Sequence, residues 1–534
     1  MHKHLIMLII GGVFYSALYA QNNEEYFHDF EYVSKSDPWL TSNNASGLYK
    51  LLLDDVSYGE VSFNKSDGKF INYYQSDNSY VFGGKAESFY RLSPKVVVYG
   101  KVSYDNFKGK HMGGASFIDP YYNPFNIIAE ADSTAGEKQM ENYHLIGAIS
   151  VDVYKGLKVG GKIDYLATNY AKFKDLRHKN KLTDLSLTIG ASYPISNFLE
   201  VGINYFYRRT IEGIEFKTYG NKDMRYYSLI DLGAFFGRRE EFGDGGYTKD
   251  GDDKPLFNRF NGGSVQLGLR LSEKIKLFNE LTYKSRDGFY GKNSSSSIIY
   301  SKHNASVYEY NGVLSIASGR DLHSIELYAG KENLENNENI YNVNTTPGGL
   351  LTIIYYGTNK VLDQDRLTAK LAYTANVDIV NYNPTWVLKA DINFYQQKKT
   401  ASLYPYYRKQ TINVANIDIS ANRNIFTGKG QIYKLLLGTG FSKGGGTDKN
   451  DGIYSTGSSG GSSPTMLDSY LHREYEYLTN LQIHFTAGFG YQRPIDKDIA
   501  IYGNVQYQVA KGLDVEYLSG STFGSLGITV GCYF

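Results

Sequence analysis

The sequence predicts an all-β fold, a transmembrane antiparallel up-and-down β-barrel of about 18 strands. Three observations predict it. Runs of alternating apolar and polar residues recur at the length of a membrane-crossing strand, no segment after the first twenty residues is apolar enough to cross as a helix, and the chain ends on an aromatic residue, Phe534. Composition agrees: 50 Tyr and 56 Gly stand against 11 Pro and 2 Trp. Tyrosine carries a phenol at one end and an apolar ring behind it, which suits the boundary between lipid and water.

The first twenty residues read as an export signal. Lys3 supplies a positive start, Leu5 to Ile10 with Val13 and Phe14 an apolar core, and Ala20 before Gln21 a small-residue cleavage point. The expected organisation is a signal peptide over residues 1–20, a periplasmic or lumenal segment over 21–55, and the barrel over 56–534. With no later run of about 18 apolar residues, anchoring falls to the strands.

A strand that crosses a bilayer needs about 9 to 11 residues, apolar toward lipid and polar toward the lumen. Ile499, Ile501, Gly503, Val505, Tyr507 and Val509 alternate with Tyr502, Asn504, Gln506 and Gln508. The same split separates Trp386, Leu388, Ala390, Ile392 and Phe394 from Lys389, Asp391, Asn393 and Tyr395, and Val265, Leu267, Leu269 and Leu271 from Ser264, Gln266, Gly268 and Arg270. Leu157, Val159, Gly161, Ile163 and Tyr165 oppose Lys158, Gly160, Lys162 and Asp164. A further strand is expected over Tyr475 to Tyr491, with Glu476 and His484 on its polar face. None of these apolar faces carries a charge, which near the midplane costs roughly 2–4 kcal/mol for Lys or Arg.

The last strand places Leu526, Ile528, Val530, Cys532 and Phe534 on one face. It resembles the C-terminal signature by which the barrel-assembly machinery selects outer-membrane clients, with Phe534 as its final residue. Short turns near Pro94, Gly156, Ser196, Glu273, Gly319, Asn383, Asn424 and Pro494, taken as periplasmic, give about 18 strands. The stretch Val56 to Tyr74 reads as one bent strand or two short ones, so 16 or 20 stay open. Longer connections, His111 to Gln139, Lys217 to Asn261, Glu332 to Asp363 and Lys443 to Tyr470, then fall on the outer side. Within the second, Arg225 to Gly237 is strand-like and points to a hairpin of its own.

Charge and cysteine exclude several classes. The 56 Lys+Arg against 55 Asp+Glu leave no basic block to follow a phosphate backbone, so no nucleic acid is expected. A single cysteine, Cys532, allows neither an intrachain disulfide nor a cysteine metal cluster.

On its strand pattern the chain resembles the outer-membrane barrels of unknown function found in Bacteroidota. Asn43-Asn44-Ala45-Ser46-Gly47-Leu48 also resembles the Asn-Pro-Ala-Gly-Leu entry of hydrophobic-compound outer-membrane transporters, with Asn44 at the proline position and Ser46 inserted. Residues 21–55 are expected either to enter the lumen as a stopper, anchored by Trp39 and Leu51 to Leu53, or to hang as a periplasmic lead.

No catalytic chemistry is expected. Gly457-Ser458-Ser459-Gly460-Gly461 has the spacing of a hydrolase elbow but lies in a Gly/Ser run rather than at a strand-to-helix turn. Asp244, Asp250, Asp252 and Asp253 do not have the spacing of a calcium loop, and neither metal nor cofactor is expected. The expected functional side chains face the lumen: Lys101, Asp105, Lys162, Asp164, Arg208, Glu212, Arg270, Glu280, Lys389, Asp391, Glu474, Glu476 and His484. Opposed charge rows make the transverse field of a pore, and the same charges paired off close it. The function expected is passage of a small solute across the outer membrane, beside a separate active uptake system; a non-conducting barrel acting as a surface-binding or structural partner is the alternative. The partners expected are outer-membrane lipid, the assembly machinery and that solute.

Overall fold

The computed structural model describes residues 27–534 apart from 131, 220–223, 252–253, 295–296, 346–350, 428–429 and 456–462. The expected signal peptide, Asp252 and Asp253, and the Gly457–Gly461 run lie outside the described residues. One 18-stranded antiparallel sheet closes on itself. Its first strand, Asp55–Gly68, pairs with Asn78–Ser93 on one side and with the last, Thr522–Tyr533, on the other. Closure leaves no sheet edge, the only way strands satisfy their backbone groups in lipid.

The alternation sorts as expected. Ile189, Ile203 and Leu281 point outward at 69%, 63% and 63% exposure, whereas Asn204, Gln266 and Thr282 point inward and are buried. Such apolar exposure would be unfavourable in water and is neutral against acyl chains. Eight short turns join strand pairs at one rim, from the Ser93–Val96 connection to that between Asp496 and Ile499.

Val56 to Tyr74 holds one strand, ending at Gly68, the first of the two readings left open. Three expectations are corrected. The turns expected at Asn424 and Pro494 come later, because Tyr406–Thr427 and Gln482–Asp496 run through them; a register shift at Pro494/Asp496 absorbs the missing N–H. Glu332 to Asp363 is largely paired strand, in the long hairpin Asp321–Thr345 and Leu351–Val380. Tyr475 to Thr479 is the end of a helix, Asp468–Thr479, and the strand begins only at Gln482. Over so short a run, alternation does not separate strand from helix.

Two segments pack on the inward face of the sheet. The first precedes the barrel: helices Phe30–Lys35 and Pro38–Thr41 and a 3-10 turn, Ala45–Lys50. Asp29 and Asp37 cap the helices by accepting from the N–H groups of Tyr32 and Trp39, and Asn44 caps the 3-10 turn through Ser46 N–H. The second is built from long connections at the opposite rim. Asn126–Ala129, Tyr227–Gly233, Phe236–Glu241 and Thr465–Met466 form a small antiparallel sheet, which includes the hairpin expected between Arg225 and Gly237. Phe117, Phe125, Ile127, Ile230, Leu232 and Phe236 bury its face against barrel residues Phe216, Leu256, Tyr290, Val361 and Ala401.

Candidate functional site

The N-terminal segment touches the wall on opposite sides of the lumen. On one side Asn43 N–H donates to Glu280 at 3.2 Å, and the Asn44 amide donates to the carbonyls of Ala191 and Ile203 and to Gln266 at 3.0–3.2 Å. On the other, Lys389 and Lys434 pair with Glu31 and Asp29 at 2.8 and 3.3 Å. The close fit depends on inward-facing glycines. A β-carbon on Gly160 would overlap the backbone of Ala45 and Ser46, one on Gly190 would overlap Asn44, and one on Gly202 or Gly268 would fall 2.8 Å from the Trp39 ring. Trp39 also meets Phe278 edge to face at 5.1 Å. Leu51 is buried but Leu52, expected as an anchor beside it, is exposed.

At the other rim, connection 113–125 is held from below. Arg286 donates to the Tyr122 carbonyl at 3.1 Å, Arg366 to that of Tyr121, and Asn336 to that of Pro124 at 3.2 Å. Glu332 lies between the two guanidiniums, 3.4 Å from Arg286 and 3.0 Å from Arg366. The hairpin turn Ala234–Phe235 has φ of 53° and 55°, a region costing side-chain-bearing residues about 1–2 kcal/mol each. Phe235 is held there by Tyr73, at 4.9 Å edge to face, and Tyr470, while Arg408 donates to the Ala234 carbonyl at 3.2 Å.

Between the two segments lies a chamber of about 510 Å³, with Asn43 from one and Tyr122 from the other in its lining. Most of its wall charges have near partners: Lys162 lies 3.9 Å from Asp164, Arg208 2.6 Å from Asp184 and Lys284 2.6 Å from Glu309, and the His144 ring nitrogen meets Asp164 at 2.7 Å. Such a lining offers hydrogen bonds to a polar molecule without a strong net field. A second space of about 690 Å³ beside Phe30–Lys35 is lined by Glu60, Lys85, Glu87, Tyr502 and Asn504 among others.

The expected lumen residues separate into groups. Lys162, Asp164 and Arg208 line the chamber. Glu280 and Lys389 hold the N-terminal segment, and Glu212 holds the inserted connections by accepting from Ile118 N–H at 3.0 Å and Asn180 at 2.5 Å. Asp391 pairs with Lys370 at 3.8 Å. Lys101, Asp105 and His484 stand on inward registers, half-buried, and Arg270 is exposed at the turn rim beside Pro38 and Trp39. Glu474 and Glu476 are corrected: both project from the helix Asp468–Thr479, not from a wall strand. Glu476 accepts from the N–H groups of Tyr517 and Leu518 at 2.7 Å and organises that loop. Burial raises the Glu474 carboxyl to about 7; Lys399 opposes the shift, Asp231 adds to it and a hydrogen bond from Tyr121 opposes it. Burial likewise pushes Asp231 up. The residues missed by sequence reasoning are Arg286, Glu332 and Arg366, while Asn44 stood out only within the resemblance over residues 43–48; an arginine in a membrane-length strand, read for its face, was the available signal for Arg286.

One family model, described as a family of unknown function (DUF6850), matches residues 45–534. No curated protein matches the chain. Among solved structures, similarity extends to BauA, the ferric preacinetobactin receptor of Acinetobacter baumannii, at 10% identity over 89% of this chain and 80% of that one, TM-score 0.35. The FrpB iron transporter of Neisseria meningitidis is 8% identical over 92% and 83%, TM-score 0.35. The ferric enterobactin receptor PfeA of Pseudomonas aeruginosa is 10% identical over 90% and 80%, TM-score 0.37. At these scores the likeness carries no argument about ligand or mechanism.

Proposed function

The chain belongs to DUF6850, a family of unknown function, and we propose that it is an outer-membrane conduit for a small polar solute, with a lumen closed at rest. The observation that carries this reading is the chamber between the N-terminal segment and connection 113–125, polar in lining and bounded by a piece of chain at each end. A barrel of this size encloses water unless something fills it. What fills it here is held by hydrogen bonds and ion pairs together with apolar packing, Phe30, Val33, Leu48 and Leu51 on the turn side and the cluster around Phe117 and Phe236 at the other, so that displacement takes energy from outside the barrel. Residues 27–54 act as the stopper on the turn side. A separate active uptake system supplies the displacement, and the turn rim faces the periplasm. The assembly machinery reads the final strand with Phe534.

A second reading, a non-conducting barrel that serves as a surface-binding partner, is favoured by the pairing of the chamber charges. Swelling of proteoliposomes in small neutral sugars separates the two. The conduit reading expects little flux from the intact protein and clear flux after deletion of residues 21–54 combined with replacement of connections 113–135 and 218–253 by short loops, since a piece of chain bounds the chamber at each end. Equal, negligible flux from both proteins supports the second reading.

A further inference from the structure

Above the apolar belt, the outward face of the barrel carries cations that the lumen does not explain. Along Leu199–Lys217 the outward positions run Leu199, Val201, Ile203, Tyr205, Tyr207 and then Arg209. The first charge therefore arrives about ten residues from the turn, one membrane-spanning strand length. On the next strand Arg259 lies directly opposite Arg209, and both side chains are exposed. Like charges placed opposite each other destabilise a strand pair. Arg259 is half-relieved by Asp287, 3.1 Å away on the following strand. Among the described residues neither Arg209 nor Lys302 has an acidic partner within ion-pair distance, and neither is held by a hydrogen bond from its side chain.

These groups converge on one external cleft of about 590 Å³, lined by Arg209, Arg259 and Lys302 together with Asp287, Phe257 and Phe289. Three cations there face one carboxylate. Phe257 and Phe289 stack at 5.1 Å and form an apolar floor, with the Arg209 guanidinium 5.3 Å from the Phe257 ring centre. Toward the turn rim lie Tyr283 and Tyr308, 5.2 Å apart, and then exposed Leu281, Val265 and Leu267. Cations, then aromatic rings, then an aliphatic surface is the order of groups met by a lipid whose head is anionic and whose tails lie along the barrel.

We propose that this cleft binds the phosphate-bearing headgroup of an outer-leaflet lipid, with Arg209, Arg259 and Lys302 as its ligands. A phosphate monoester carries roughly −1.5 to −2 charge and several strong acceptor oxygens, which matches the excess of cations and relieves the Arg209–Arg259 opposition. The assignment of the leaflet rests on the orientation given under the proposed function, with the long connections outward.

The test is native mass spectrometry of the full-length barrel reconstituted with phosphorylated lipid A, with the same lipid after phosphate removal, and with inorganic phosphate alone. The intact protein should retain the phosphorylated lipid, and Arg209→Gln with Lys302→Gln should lower retention roughly tenfold. Arg209→Gln alone should lower it less, and heat-modifiable gel mobility reports that each variant is a folded barrel. Equal retention by variant and parent, or equal retention of the dephosphorylated lipid, overturns the site. Inorganic phosphate that binds alone and displaces the lipid assigns the cleft to a free anion and overturns the lipid. Orientation is read separately: Ser133→Cys in a Cys532→Ser background should react with a membrane-impermeant maleimide on intact cells. Absence of that labelling, with labelling after lysis, overturns the orientation and the outer-leaflet assignment together.

Discussion

The Asn44 amide donates to Gln266 at 3.0 Å, although 222 residues separate them in the chain, and the Gln266 amide donates in turn to Glu280 at 2.7 Å. Glu280 accepts the N–H of Asn43. A short loop of hydrogen bonds thus joins the segment before the barrel to two wall strands, with Asn44, Gln266 and Glu280 all buried. Leaving one such partner unmet costs about 1–3 kcal/mol. Asn44→Ala should therefore loosen residues 27–54 while the barrel stays intact, read as faster amide exchange in that segment only.

Gly160 makes a sharper test, since the atoms its β-carbon would meet belong to the backbone of Ala45 and Ser46 and cannot rotate away. Gly160→Val should expel the segment and expose it to protease. Unchanged cleavage would mean that the close approach at Gly160 does not hold the segment.

Arg286 is fully buried, and its removal leaves Glu332 with less compensation and the Tyr122 carbonyl without its donor. Loss of one partner of a buried pair costs about 3–5 kcal/mol. Arg286→Ala should lower the thermal midpoint and release connection 113–125, seen as protease cleavage there. Glu332→Gln together with Arg286→Met should recover part of the midpoint without restoring the connection.

Glu474 gives the rim opposite the turns a pH dependence. Its carboxyl titrates near 4.5 when unfolded and near 7 in place, because burial disfavours the charged form. The folded form thus binds the proton more tightly, and the stability of the helix packing falls as pH rises from about 4.5 to about 7, then stays flat. Amide exchange across Asp468–Thr479 should quicken over that window, and Glu474→Gln should remove the dependence.

The lipid face gives a control for the fold itself. Ile203 is 63% exposed between Val201 and Tyr205 on the outward face. Ile203→Lys should destabilise the barrel in lipid by about 2–4 kcal/mol, measured by urea unfolding in vesicles. A neutral effect would argue against a membrane-facing surface there.

The barrel was legible because lipid imposes a two-residue period on every crossing strand, as in Ile499 to Val509. That constraint lapses outside the bilayer. Asn336, Asn337, Glu338 and Asn339 read as a polar connection, yet they continue a paired hairpin, since a ladder in water needs no apolar face. The helix at Asp468–Thr479 was misread because Tyr475 and Tyr477 alternate with Glu474 and Glu476 just where the chain leaves the bilayer. Most of the site lay beyond sequence reasoning for a different reason. Gly160, Gly190, Gly202 and Gly268 sit on four different strands, and only closure of the sheet shows that they meet one segment. The run Phe125 to Ala129, apolar except for Asn126, was a signal for the inserted sheet that a loop in solvent would not carry.

Single-channel recording in planar bilayers, on the intact protein and on the protein lacking residues 21–54 with connections 113–135 and 218–253 also replaced by short loops, tests the central claim most directly. A conduit closed by its own segments predicts rare or no openings in the first and steady conductance in the second. Steady conductance in the intact protein, or a silent bilayer with both although folded barrels are inserted, would contradict it.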